Sequence, residues 1–98
     1  MIYEVISNVN IRREPKIVEH YDKGKYITNI IGKLAKGTQR EIYETITGDD
    51  NYTWGRISEP DGAGISQWVC IKGFNRTWMK LIDIPNNTND AMLESRLN

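Results

Sequence analysis

The sequence predicts an all-β fold, a small barrel of about five to six antiparallel strands, and three observations lead there. The chain breaks into short runs rich in Ile, Val, Thr, Tyr and Trp with alternating polarity, which suit a pleated strand better than a helix. Gly, Pro, Asn and Asp gather between the runs, where they supply turns. At 98 residues the chain has room for a single hydrophobic core.

The central pair of strands is the most legible. Tyr52-Thr-Trp-Gly-Arg-Ile-Ser58 and Gln67-Trp-Val-Cys-Ile71 flank Glu59-Pro-Asp-Gly-Ala-Gly64, the pattern of an antiparallel hairpin. A period of two puts Tyr52, Trp54 and Arg56 on one face and Thr53, Gly55 and Ile57 on the other. With Ile57 taken as the core side, Trp54 is expected to face outward.

The remaining elements follow in order. Tyr3–Ser7 alternates as a first strand, Asn8 interrupts it, and Val9–Arg13 continues extended until Pro15 stops regular pairing. Val9 and Ile11 share one face; Asn10 and Arg12 share the other. Residues 14–26 are polar with two aromatics, Tyr21 and Tyr26, and read as a long loop of the kind that carries function. Ile27–Leu34 returns as a strand, Lys36-Gly37 turns, and Thr38–Thr47 is the clearest strand in the chain. Gly48-Asp-Asp-Asn51 suits a four-residue hairpin loop. Phe74–Ile82 reads as a closing strand whose Phe74 and Trp78 complete the core. The barrel is placed at 1–84. Pro85 begins a linker and tail over 85–98, where Ala91–Leu97 has the pattern of a short helix capped by Asn89 or Asp90. The expected core comprises Ile11, Leu34, Ile42, Ile57 and Val69.

Thirteen basic and thirteen acidic residues balance to zero net charge, which argues against nucleic acid as the main partner. No run is long enough to cross a membrane. The opening Met-Ile-Tyr-Glu-Val-Ile lacks the basic region of an export signal, so the expected location is the cytoplasm unless the chain is released by lysis or belongs to a larger exported protein. One cysteine, Cys70, excludes an internal disulfide and a cysteine-based zinc site. Asp49-Asp50 lacks the further oxygen ligands of a calcium loop. No metal and no cofactor is expected.

Four stretches then resemble one family. Val9-Asn-Ile-Arg-Arg-Glu-Pro15, Ile30-Ile-Gly-Lys-Leu-Ala-Lys-Gly-Thr38, Trp54-Gly-Arg-Ile57 and Trp68-Val69 are similar, in order and spacing over residues 9–69, to the conserved pieces of bacterial Src-homology-3-like (SH3b) domains. The loop before Ile27 is longer than in that family, Gly55 stands where it has a bulky residue, and Cys70–Ile82 extends past its usual close. The resemblance implies a non-catalytic barrel that targets a cell-wall hydrolase or phage lysin to the peptide of peptidoglycan. It also places Trp54 at the groove tryptophan of the wider fold and residues 14–26 at its specificity loop.

The candidate contact residues are Trp54 with Tyr21, Tyr26 and Tyr52, because aromatic rings give rigid contact area with a polar handle. Arg12 and Arg13 open the long loop and point to opposite sides. A guanidinium there would clamp a peptide carboxylate, with an ion pair to Glu14 as the plainer role. His20 and Cys70 are the candidates for nucleophilic chemistry. Cys70 lies between Val69 and Ile71, the setting of an inert buried thiol, so no enzymatic activity is expected. Two functions stand open: the wall-targeting module, and a stand-alone phage or mobile-element protein that binds and modulates a bacterial intracellular protein.

Overall fold

The structure, a computed structural model, describes residues 1–48, 50–59 and 64–82. The described residues contain no helix and eleven short strands: β1 (Ile2–Val5), β2 (Val9–Arg12), β3 (Glu19–Asp22), β4 (Lys25–Thr28), β5 (Ile30–Leu34), β6 (Gln39–Glu41), β7 (Glu44–Thr47), β8 (Thr53–Arg56), β9 (Trp68–Gly73), β10 (Arg76–Thr77) and β11 (Met79–Leu81). All pair antiparallel. β11-β1-β6 form one sheet, β5-β2-β9-β8-β7 a second with β10 added to β9, and β3-β4 a third. The fold is all-β, as the sequence predicts. Its ladders are divided among three sheets and do not close into a barrel. The tail and its expected helix lie outside the described residues.

The division has a local cause. The chain passes between the two larger sheets at four places, and at three of these corners single hydrogen bonds rather than a ladder tie it. At Ile6 the N–H donates to the Trp78 carbonyl at 2.8 Å. At Ile42 and Tyr43 the N–H groups donate to Met1 and Arg56 carbonyls at 2.8 and 2.9 Å. At Trp78 the N–H donates to the Ile71 carbonyl, again at 2.8 Å. The run 38–47, expected as one strand, is therefore two: β6 serves the first sheet and β7 the second.

The core lies chiefly around β8 and β9. Val5, Val9, Leu34, Ile42, Trp54, Ile57, Trp68, Val69, Cys70, Ile71 and Met79 are buried together, with Ile11 partly buried against them. The five expected core positions are all in this assembly. Residues opposite one another in a ladder share a face. Ile11, Val69 and Gly55 are so aligned on one face, and Arg12, Trp68 and Arg56 on the other, which also carries Cys70. Both faces are covered here, since Trp68, Val69, Cys70 and Ile71 are buried in succession. A bulge at Ile71, between the pairs Thr53–Lys72 and Trp54–Cys70, puts Trp54 opposite Cys70.

Trp54 consequently points into the protein and is only 1% exposed. The expectation of an outward Trp54 assumed that one face of its strand meets water. The face opposite Gly55 is itself covered, so alternation chooses between two interiors. Gly55 has its own constraint: a Cβ there would stand 2.9 Å from both Ile42 Cγ2 and Ile71 Cδ1.

The segment expected as a loop is partly a hairpin. β3 and β4 pair from Glu19–Thr28 to Asp22–Lys25 around Lys23-Gly24, whose φ values of 51° and 80° suit a tight two-residue turn. Phe74-Asn75 makes a second such turn with φ 47° and 61°, closed by the Gly73–Arg76 pair. A left-handed backbone costs a bulky side chain about 1–3 kcal/mol. Phe74, expected in the core, is instead 72% exposed at this turn.

The close contact at Gly55 makes a measurable prediction. Gly55→Ala should destabilise the domain by about 1–3 kcal/mol, because Ile42 Cγ2 is branched at Cβ and gives way only with its backbone. Chemical denaturation of the variant beside the parent measures it.

Candidate functional site

A cleft of about 120 Å³ opens on the Trp54 side of the large sheet. Trp54 and Cys70 lie beneath it, Tyr52, Trp78 and Ile17 contribute apolar wall, and Asn8, Asn10 and Arg12 supply polar groups. The local sequence explains the wall. Asp50 Oδ1 accepts the Tyr52 N–H at 3.0 Å, fixing the approach to β8. The Cδ1 edge of the Tyr52 ring closes on Gly73, where a Cβ would stand 2.0 Å from Tyr52 Cδ1. Trp54, Phe74 and Trp78 meet that ring edge-on at 6.0, 5.0 and 6.1 Å, the geometry aromatic quadrupoles favour. Trp54 Nε1 is buried with no hydrogen-bond partner, so an indole bordering the cleft retains an unused donor.

The other wall depends on Asn29, which is 3% exposed. Its Oδ1 accepts from Arg12 Nη1 at 2.9 Å and from the Val18 N–H at 3.3 Å. Its Nδ2 donates to Glu14 Oε1 at 3.2 Å and to the Lys16 carbonyl at 2.8 Å. Its own N–H donates to the Val18 carbonyl and its carbonyl accepts from the Arg13 N–H. One residue, through side chain and backbone, thus holds both ends of the 13–18 segment and presents Ile17 to the cleft.

Several candidate residues fall elsewhere than expected. Arg12 is buried and already engaged: Nη2 donates to Glu19 Oε2 at 2.8 Å. It is no free clamp, and its ion-pair partner is Glu19 rather than Glu14. Arg13 is exposed on the other side, as alternation requires. Tyr21 and Tyr26 face each other across the β3-β4 arm at 5.3 Å and do not line the cleft. They share a hairpin face with Glu19, so the Arg12–Glu19 pair ties the tyrosine face of the arm to the large sheet. Of the proposed set the structure brings together Trp54, Tyr52 and Arg12. Asn29, Ile17 and Trp78 are additions; the one sequence sign of Asn29 is a lone amide between two apolar extended runs.

The arrangement suits binding better than thiol chemistry. Burial, then the Asp50 charge, push the Cys70 thiol up to about 11, against the opposing pull of Arg12. His20 is exposed on the arm, opposite Ile27. Among the described residues no group of His, Cys, Asp and Glu is placed to hold a metal ion, and no helix is long and apolar enough to cross a membrane.

Two measurements follow. Asn29→Ala should cost about 2–4 kcal/mol by denaturant titration, because it strands the buried Arg12 and Lys16 groups as well as removing its own bonds. In the folded protein Cys70 should resist alkylation at neutral pH. Its raised pKa also contributes stability that is intact below the ordinary thiol value of 9.0 and lost as pH rises toward 11. The loss should be on the order of 2–3 kcal/mol, read as the difference between parent and Cys70→Ala.

No protein-family model, curated protein or solved structure matches this chain.

Proposed function

We propose that this chain is a non-catalytic SH3b-like binding module that takes the peptide of bacterial peptidoglycan into the Tyr52–Trp78–Ile17 cleft and so targets a cell-wall hydrolase or phage lysin. The observation that carries this reading is the cleft itself, aromatic and apolar on its walls with the polar groups of Asn8, Asn10 and Arg12 beside them. An extended peptide brings carbonyl acceptors and small side chains, and a space of about 120 Å³ accommodates one small residue rather than a whole ligand. Asn10 adds an amide able both to donate and to accept. The resemblance over residues 9–69 supplies the choice of wall peptide.

A second reading is favoured by the arm. Tyr21 and Tyr26 are 76% and 51% exposed, with Ile27 also exposed on the other face. Such a surface suits a protein partner, and the chain would then be a phage or mobile-element protein acting on a bacterial intracellular protein.

Sedimentation with purified walls of a low-GC bacterium separates the two. Wall binding is expected, with Ile17→Ser and Asn10→Ala each weakening it at least about fivefold. Trp54→Ala is the wrong test, since emptying that buried site should cost about 3–5 kcal/mol of stability. Tyr21→Ser with Tyr26→Ser should leave retention unchanged. If the arm variant loses retention while the cleft variants keep it, the wall site is the arm and not the cleft; no retention at all rejects wall targeting and leaves the second reading.

A further inference from the structure

We infer that the Phe74-Asn75 turn forms a second, separate binding site, for a negatively charged saccharide. Its open groove of about 270 Å³ shares no residue with the cleft, and the inference does not depend on the peptide reading.

The first argument is backbone conformation. Among the described residues four non-glycine residues have positive φ: Lys23, Asn51, Phe74 and Asn75. Three of them line this groove. Asparagine tolerates that region, but an aromatic residue does not adopt it cheaply. Asn-Gly would make the same turn without strain. Phe74 gains little burial in return, since it is 72% exposed. The edge contact with Tyr52 at 5.0 Å recovers part of that cost, but most of the ring stays in solvent, and left-handed backbone gathered in one groove marks a place shaped for a ligand.

The second argument is the chemistry beside that ring. Thr77, Lys72 and Thr53 lie opposite one another across three adjacent strands, giving a row of hydroxyl, ammonium and hydroxyl. Asn51 and Asn75 add amides at the rim. Arg76 is held in place: its guanidinium stacks over Trp78 at 4.8 Å, and Nη2 donates to Ser7 Oγ at 2.9 Å. Neither Lys72 nor Arg76 has a carboxylate partner among the described residues. A pyranose ring stacks its C–H face on an aromatic ring and spends its hydroxyls on amides and hydroxyls. Two uncompensated cations favour a sugar bearing a carboxylate or phosphate over a neutral one. A nucleic acid would also want rings and cations, but zero net charge gives it no basic footprint.

The test is an NMR titration of the whole chain with hyaluronan hexasaccharide, chitohexaose as the neutral comparison, and a single-stranded oligothymidylate. Saturable shifts at the amides of Lys72–Thr77 are expected with hyaluronan, and binding at least about tenfold weaker with chitohexaose. Phe74→Gly should weaken hyaluronan binding at least about tenfold while Tm stays equal or rises, because glycine relieves the turn. Lys72→Gln, on an exposed side chain, should also weaken it without loss of fold. The inference is overturned by an absence of saturable shifts into the millimolar range, by equal binding of chitohexaose, or by tighter binding of oligothymidylate. It is also overturned if Phe74→Gly binds like the parent, or if that variant loses substantial thermal stability, which would make the ring a structural brace.

Discussion

The side of the molecule that carries the cleft depends on one buried amide. Asn29 sits where β4 gives way to β5, a place where regular pairing stops and backbone groups need other partners. Its side chain and backbone meet that need for Arg13, Lys16 and Val18 together. It also takes one hydrogen bond from the buried Arg12 guanidinium, whose charge is balanced by Glu19. A buried cation without such partners is strongly unfavourable. With them it becomes a fixed post joining β2, the 13–18 segment and the β3-β4 arm. The arm needs that post: a two-stranded hairpin alone is marginal in water, and its residues are nearly all exposed.

The second constraint is the thickness of the protein around β9. A domain of this size is short of buried surface. Here the deficit is met by covering β8 and β9 on both sides, with Gly55, Val69 and Ile71 inward on one face and Trp54, Cys70 and Trp68 on the other. The glycine is what permits it. A side chain at position 55 would push against Ile42 and Ile71, so the sheet closes down on its neighbour because nothing projects from that point. The glycine at position 55 is thus a packing feature and leaves Trp54 as the bulk on the reverse face.

Much of this was legible in the sequence, and the failures share a cause. Hairpin pairing of 53–56 with 68–73, the turn after Thr47, and the core positions Leu34, Ile42, Ile57 and Val69 all follow from local period and turn chemistry. So does the opposite aim of Arg12 and Arg13. What escaped was set by distant partners. Period two says that Trp54 and Ile57 oppose each other, not whether the Trp54 side is covered. Arg12 looked free because Glu19 and Asn29 approach it only through the arm's return. Residues 14–26 looked like a loop because β3 and β4 lack an apolar face, although Lys23-Gly24 is an adequate turn signal. Phe74 looked like core because aromatics usually are.

Tyr52 connects these observations. Its ring borders the cleft on one side and meets Phe74 on the other. Between them its Cδ1 edge closes on Gly73, with no space for even a methyl group on that residue. A ring edge closed on backbone cannot shift toward Gly73, and Trp54 and Trp78 pack beside the ring at interplanar angles of 78° and 68°. The cleft wall and the strained turn are therefore positioned by the same contact. Gly73 begins the turn whose φ values are unusual for Phe74, and it is also the seat of Tyr52. The geometry that presents Phe74 to solvent is thus the geometry that holds the cleft wall upright. This accounts for the short β9-β10 extension beyond the central hairpin: it supplies the seat, the turn and Trp78 in eight consecutive positions from Lys72 to Met79, and neither the cleft nor the groove at the turn would be complete without it.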